Sequence, residues 1–319
     1  MRGSDDTAVR YRPALMQVLR RYSWLWIALL LVTVTSIIML SLASTRSALT
    51  KATWIWDTKQ MKTQTDEMIE FAEKNDINLI YLHVEPAAVA PETYRTFIEK
   101  ANQAGIKVEA LGGDPNWALT ANRQSIDDLI SWVKAFNRSA KPAEQFSGIH
   151  VDIEPYLLPA WKEDQAEIVR QWLKNVSYLA AETKKDTDLA VGADLPFWID
   201  SVNVPGSDEK VSNWMVQRLD SITLMAYRNQ ALGQNGIVEI VEKIVDDANV
   251  RKKGSVIVGV NIMETMEGAH VSFYEEGTKE MNNQLAILQE ELSNNPAFAG
   301  SAIHDYESWK HASQREEQL

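Results

Sequence analysis

Strand-like and helix-like segments take turns along this chain from about residue 50 to its end, and that alternation limits the folds open to it. Segments of period two, rich in Val, Ile, Leu, Tyr and Trp, occur at 53–57, 78–85, 107–112, 148–154, 189–195, 221–227, 255–262 and 300–305. Amphipathic stretches with helical spacing lie between them, at 65–74, 92–104, 126–136, 161–183, 237–248 and 278–292. Parallel strands need crossover connections, and helices supply them, so the alternation predicts an α/β fold with a parallel sheet under helices. Eight strands in about 265 residues match a (β/α)₈ TIM barrel in number and size. A doubly wound open sheet normally carries a glycine-rich nucleotide loop after its first strand. Here that place holds Trp54-Ile55-Trp56-Asp57-Thr58.

The fourth strand has the sharpest pattern. In Gly148-Ile149-His150-Val151-Asp152-Ile153-Glu154-Pro155, one parity is wholly apolar and the other carries His150, Asp152 and Glu154. Successive strand side chains point to opposite faces, so the pattern predicts an apolar face under the helices and an ionisable face in the barrel. Barrel enzymes keep their chemistry at the C-terminal strand ends. Polar groups expected there are Glu85, Asp114, Asp152, Glu154, Asp194, Tyr227, Asn261 and Asp305, with His83 and His304 nearby. Trp117, Trp198 and Trp309 fall close to the same ends. Carboxyl groups that transfer protons, beside flat aromatic faces, suit a carbohydrate.

Charge narrows the partners. Residues 1–48 hold six basic and two acidic residues, which leaves 26 basic against 42 acidic, a formal −16, for the remainder. Such a domain repels nucleic acid, whose phosphates need clustered Lys and Arg. The chain has no Cys, so it has no disulfide, thiolate metal site or cysteine nucleophile. No cofactor motif is present, and the His are scattered without an HxH or HExxH pair.

Trp24–Leu42 is a run of 19 uncharged residues, long enough to cross a bilayer as a helix. Arg10, Arg12, Arg20 and Arg21 precede it, which keeps its N-terminal side in the cytoplasm. Residues 1–21 are therefore expected to be a short basic cytoplasmic tail, 22–44 an anchor, and 50–315 an extracytoplasmic barrel domain. The competing expectation is a signal peptide cleaved after Ser41-Leu42-Ala43, releasing a secreted domain.

Four segments together resemble the family-18 glycoside hydrolases, the chitinases and endo-β-N-acetylglucosaminidases. The family's DxxDxDxE falls on residues 147–154, with Asp152 and Glu154 retained. Its SxGG falls on Ala110-Leu111-Gly112-Gly113, and its MxYD on Met225-Ala226-Tyr227-Arg228. An aromatic residue after its eighth strand corresponds to Trp309 in Asp305-Tyr306-Glu307-Ser308-Trp309. The order agrees over about residues 50–310. Ser147 and His150 stand where the family has aspartates, and Arg228 replaces the Asp after the tyrosine, as in a divergent branch.

The resemblance implies substrate-assisted retaining catalysis on N-acetylhexosamine-containing glycans, an exception to the two-carboxylate scheme. Glu154 is the implied general acid/base, with Asp152 and Tyr227 holding the 2-acetamido group that attacks the anomeric carbon. His150, Trp309, Met225, Asp194, Gly113 and Trp198 are the implied sugar-binding residues, Trp309 as the floor of the −1 site. His150 lies roughly 6.5–7 Å along the strand from Asp152. It either hydrogen-bonds Asp152 and holds it ionised, or stays neutral and leaves Asp152 free to take a proton. Three other readings stay open: a non-catalytic glycan-binding barrel, a two-carboxylate glycosidase using Glu154 and Glu264, and a metal hydrolase using His83, His150, Asp194 and His304. Glu264 shares the parity of Val256, Val258, Val260 and Ile262, so its side chain is expected to start from the helix-facing side.

Overall fold

The computed structural model describes residues 49–317. The expected tail and anchor, residues 1–44, lie outside them. Among the described residues no helix is long and apolar enough to cross a membrane.

Eight strands close into a barrel in sequence order, every neighbouring pair parallel, with β8 returning to β1. They are β1 Thr50–Ile55, β2 Leu79–His83, β3 Lys107–Gly112, β4 Gly148–Val151, β5 Ala190–Pro196, β6 Ser221–Met225, β7 Val256–Asn261 and β8 Phe298–His304. The helices are α1 Met61–Lys74, α2 Pro91–Gln103, α3 Arg123–Ser139, the short α4 Pro159–Glu163, α5 Gln165–Lys184, α6 Val211–Arg218, α7 Ile237–Asn249, α8 Gly277–Leu292 and α9 Tyr306–Glu317.

Local chemistry explains where these helices begin and end. In α2, Pro91 occupies the first turn, where its missing N–H costs nothing, and Glu92 meets the positive helix end. Tyr94, Phe97, Ile98 and Ala101 then bury one face at helical spacing. Gly105 follows with φ +76°, a left-handed turn that glycine adopts without strain. At the start of α5 the Asp164 carboxylate accepts the Glu167 amide at 3.0 Å. Helix α6 has no counterpart in the sequence reading. It has only eight residues and follows a long loop, so its apolar spacing spans barely two turns.

Two apolar clusters form, one on each face of the barrel wall. The larger joins Ile149, Val151 and Ile153, and likewise Val256, Val258, Val260 and Ile262, to the helices. The smaller lies inside the barrel and contains Ala52, Trp54, Leu79, Tyr81, Leu111, Ile257 and Ala302. The parity read from the fourth strand is therefore the parity of the fold: the Ile and Val side chains face the helices, and His150 faces inward.

Candidate active site

Asp152 and Glu154 stand just beyond the end of β4, where hydrogen bonding to β3 continues for one residue. The Asp152 amide donates to the Gly112 carbonyl at 3.0 Å. The two strands approach closely because residue 113 has no side chain. A Cβ there would lie 1.9 Å from the Asp152 carbonyl oxygen and 2.5 Å from its carbon. Gly113, expected among the sugar-binding residues, thus acts on the backbone that carries Asp152.

Asp152 and Glu154 are both half-buried, and so is Tyr227, two residues past the end of β6. Burial raises the Asp152 carboxyl, the neighbouring Asp194 and Glu154 charges add to it, and its pKa reaches about 8. One of its oxygens, Oδ1, is buried with no hydrogen-bond partner, which also favours the neutral form. Glu154 is raised as well, first by burial and then by Asp194 and Glu267, while a hydrogen bond from the Tyr156 hydroxyl pulls the other way. Burial raises the Tyr227 phenol, and the charges of Asp194, Asp152, Glu154 and Asp305 raise it further. Asp152, Glu154 and Tyr227, at the C-terminal ends of β4 and β6, are thus near enough for their charges to act on one another.

Beneath them the barrel is filled by ionic and aromatic groups. His150 is completely buried, its Nε2 lying 3.0 Å from Asp194 Oδ1 and its Nδ1 3.7 Å from Glu109 Oε2. Its ring stacks on Tyr81, with centroids 3.8 Å apart. Trp54 Nε1 donates to Asp194 Oδ2 at 3.0 Å. His150 thus pairs with Asp194, a partner that neither reading of its contact with Asp152 foresaw. Asp194, expected at the sugar, is buried inside the barrel. Glu109 and Trp54 were missing from the expected site. Their signal was parity, since Glu109 alternates with the apolar Val108 and Ala110, as His150 does with its neighbours.

Aromatic side chains ring the mouth. Trp198 sits in the turn 197–201 after β5, edge-on to Tyr156 at 5.0 Å and to Trp161 at 6.5 Å. Tyr156, absent from the expected site, connects Trp198 to Glu154. On the opposite side Trp56 lies 5.5 Å from His83 and donates through Nε1 to His304 Nε2 at 3.2 Å. Tyr227 lies 5.9 Å from the His304 ring. Burial lowers both His83 and His304. Met225 is half-buried as the last residue of β6, paired in register with Pro196 and Gly259. A cleft of about 380 Å³ opens beside Gly113, lined among others by His83, Trp117, Asp128 and Trp132.

Trp309 is the correction. It belongs to α9, is fully buried, and packs edge-on against Phe71 of α1 at 5.4 Å, with Lys51 Nζ 5.3 Å from its ring. The chain turns into a helix at Tyr306, so a residue three positions later faces the neighbouring helix and not the mouth. His304, still on the strand, is the β8 aromatic group that reaches the site. Other polar strand-end residues serve the backbone. Asp114 accepts the Asn116 amide, Asn261 the Met263 amide and Asp305 the Ser308 amide. Glu85 pairs with Lys59 at 3.8 Å. Glu264 is exposed and lines a separate cleft with Tyr274, Glu307, His311 and Arg315. Arg228 is held by the Tyr227 carbonyl, by Asn235 and by the Phe197 ring. Among the described residues no group of three His, Asp or Glu side chains is arranged to hold a metal ion.

No family model matches the chain, and no curated protein does. Solved structures match its fold. A chitinase from Bacteroides thetaiotaomicron superposes with TM-score 0.52 at 13% identity, covering 82% of this chain and 91% of that one. A family GH18 chitinase from Cycas revoluta, in complex with (GlcNAc)4, gives 0.53 at 12% identity over 82% and 96%. A GH113 beta-1,4-mannanase gives 0.52 at 13% identity over 82% and 88%. The domain therefore has the barrel fold found in the family-18 chitinases and in other glycoside hydrolases. At this identity the likeness is one of fold.

Proposed function

We propose that this chain is a retaining glycosidase acting on N-acetylhexosamine-containing glycans. The observation that carries the reading is a pair of carboxyl groups, Asp152 and Glu154, both raised by burial and by the charge of Asp194, close to Tyr227. A general acid must be protonated near neutral pH, and the raised Glu154 meets that need. Glu154 protonates the glycosidic oxygen as the substrate's acetamido oxygen attacks the anomeric carbon. Asp152 accepts the acetamido N–H, which its neutral form still does through its carbonyl oxygen, and the Tyr227 hydroxyl steadies the acetamido oxygen. The Glu154 carboxylate left behind then takes a proton from the incoming water. Tyr156 keeps the Glu154 carboxyl oriented between these steps. The aromatic rim of Trp56, Trp198 and Tyr156 offers faces for sugar rings. Residues 22–44 anchor the domain outside the cytoplasm in this reading, and full-length protein is expected to sediment with membranes.

The two-carboxylate alternative needs a second carboxylate close to Glu154. Glu264 is exposed and lines the other cleft. The test is Glu154→Gln, which keeps shape and hydrogen bonding but delivers no proton. Hydrolysis of a chitooligosaccharide is expected to fall ~10²–10⁴-fold with little change in binding. Glu264→Gln is expected to leave the rate unchanged. Parental activity in Glu154→Gln rules the proposal out, and a large loss in Glu264→Gln favours the two-carboxylate enzyme. A glycan that binds without turnover in the parent identifies a binding barrel.

A further inference from the structure

Three buried ionisable groups, one from each of three adjacent strands, meet inside the barrel: Glu109 of β3, His150 of β4 and Asp194 of β5. The register that aligns Leu111 with His150, and His150 with Gly192, brings them together. Both imidazole nitrogens face a carboxylate, at 3.7 and 3.0 Å. We propose that His150 is a positioning residue that works as a fixed cation, pairing with Asp194 beneath the catalytic carboxyls of the glycosidase proposed above. The consequence for catalysis rests on that reading; the ion triad does not.

The surroundings are built for the ring. A Cβ at Gly192 would lie 2.6 Å from His150 Nδ1, so only glycine leaves room for the imidazole at that register. A Cβ at Gly148 would lie 3.1 Å from the Glu109 carboxyl carbon. Tyr81 covers one face of the ring, and its hydroxyl shares a hydrogen bond with Thr223 at 2.9 Å. A neutral imidazole has one N–H and one lone pair. Between two carboxylates it would turn that lone pair toward a negative charge. The doubly protonated ring places positive charge beside both carboxyls, through ion-pair contacts at 3.0 and 3.7 Å whose geometry falls outside hydrogen bonding. Burial opposes the charge, but Asp194 and Glu109 outweigh it and raise the pKa to about 9.

The groups facing His150 from the packed strands are Tyr81 of β2, Glu109 of β3, Asp152 on its own segment and Asp194 of β5. Asp194 is held from two sides, by His150 and by Trp54 Nε1. Its charge acts on the groups above it, raising Asp152, Glu154 and Tyr227. His150 itself pulls Asp152 the other way, less strongly than Asp194 pushes. The triad therefore sets how protons are shared at the mouth without touching substrate.

The test labels the histidines of the full chain with ¹⁵N and follows their ring nitrogens by NMR from pH 5 to 10. One signal is expected to stay doubly protonated at pH 8, while the buried His83 and His304 are neutral. His150→Gln should remove that signal, and Asp194→Asn should move its midpoint down by more than about one pH unit, a tenfold change. In kinetics on a chitooligosaccharide, His150→Gln should displace the alkaline limb of the kcat profile, which reports loss of the general acid's proton, by more than about half a pH unit and leave KM within about twofold. A general acid works best when its pKa lies near the operating pH. A parent spectrum with all five histidines neutral at pH 8 overturns the proposal, because His150 would then carry no fixed charge. A doubly protonated His150 with an unmoved kcat profile also overturns it, reducing the triad to packing. A doubly protonated His150 in a parent that hydrolyses no glycan overturns the glycosidase reading and leaves the triad standing.

Discussion

Replacing Gly113 by Ala tests whether close approach of β3 to β4 is what sets the proposed catalytic mouth. The added methyl would sit 1.9 Å from the Asp152 carbonyl oxygen, 2.5 Å from its carbon and 2.9 Å from its nitrogen. All three are backbone atoms, so no rotamer change relieves the clash. Reaching even the 3.0 Å limit below which real Cβ contacts essentially never fall requires the strands to separate by about 1 Å. Overpacking of this kind costs typically ~1–3 kcal/mol, and a backbone clash belongs at the upper end. At about 2–4 °C per kcal/mol, the melting temperature should drop by about 5–10 °C. The larger effect is on the reaction, since a misplacement of about 1 Å costs on the order of 10²-fold in rate. Two neighbours serve as controls. At Gly112 the added methyl meets the ends of Leu129 and Trp117, at 2.9 and 3.1 Å, and those side chains can yield. At Gly105 it meets nothing within 4 Å, so only the positive φ is strained, at roughly 1–2 kcal/mol. The assay pairs thermal melting with kcat/KM on a chitooligosaccharide for all three variants. Loss of rate at Gly113 with stability loss at all three is expected. Parental kcat/KM in Gly113→Ala would refute the argument, and so would an equal rate loss in Gly105→Ala.

Trp309→Ala should cost about 3–5 kcal/mol, the usual penalty for a buried tryptophan, and leave KM for a glycan unchanged. Weaker glycan binding in a variant that still folds would return Trp309 to the mouth. Stability should also fall as pH rises above neutrality. The folded pKa of His150, about 9, lies above its ordinary 6.5, and that of Asp152, about 8, above 3.8. In both cases the folded state holds the proton more tightly, so its contribution is complete below the ordinary pKa and is lost as pH climbs through the folded value. For the fully buried His150 the gap is worth about 3 kcal/mol between pH 6.5 and 9. Urea midpoints that stay level or rise across that window would contradict it.

Much of this protein follows from period and order along the chain. The two-residue alternation from Ile149 to Glu154 decides which side chains can face the barrel, because strand geometry allows no other arrangement. Eight such segments separated by helical ones close into a barrel, and Asp152, Glu154 and Tyr227 reach its mouth because strand ends are local features. Whom a side chain meets across the barrel is not local. His150 pairs with Asp194 and Glu109, not with the nearer Asp152, because the register of β3, β4 and β5 sets those distances. Gly192 makes that pairing feasible from some 40 residues away in sequence. Trp309 shows the converse. Its closeness to the eighth strand along the chain suggested the sugar site, but α9 begins at Tyr306 and the helical turn carries the ring onto Phe71. Tyr156 and Trp198 lie in turns after two different strands and meet only because those strands are neighbours. Parity belongs to the chain itself, whereas partnership depends on strand register and on where each helix starts, and only the closed barrel sets those.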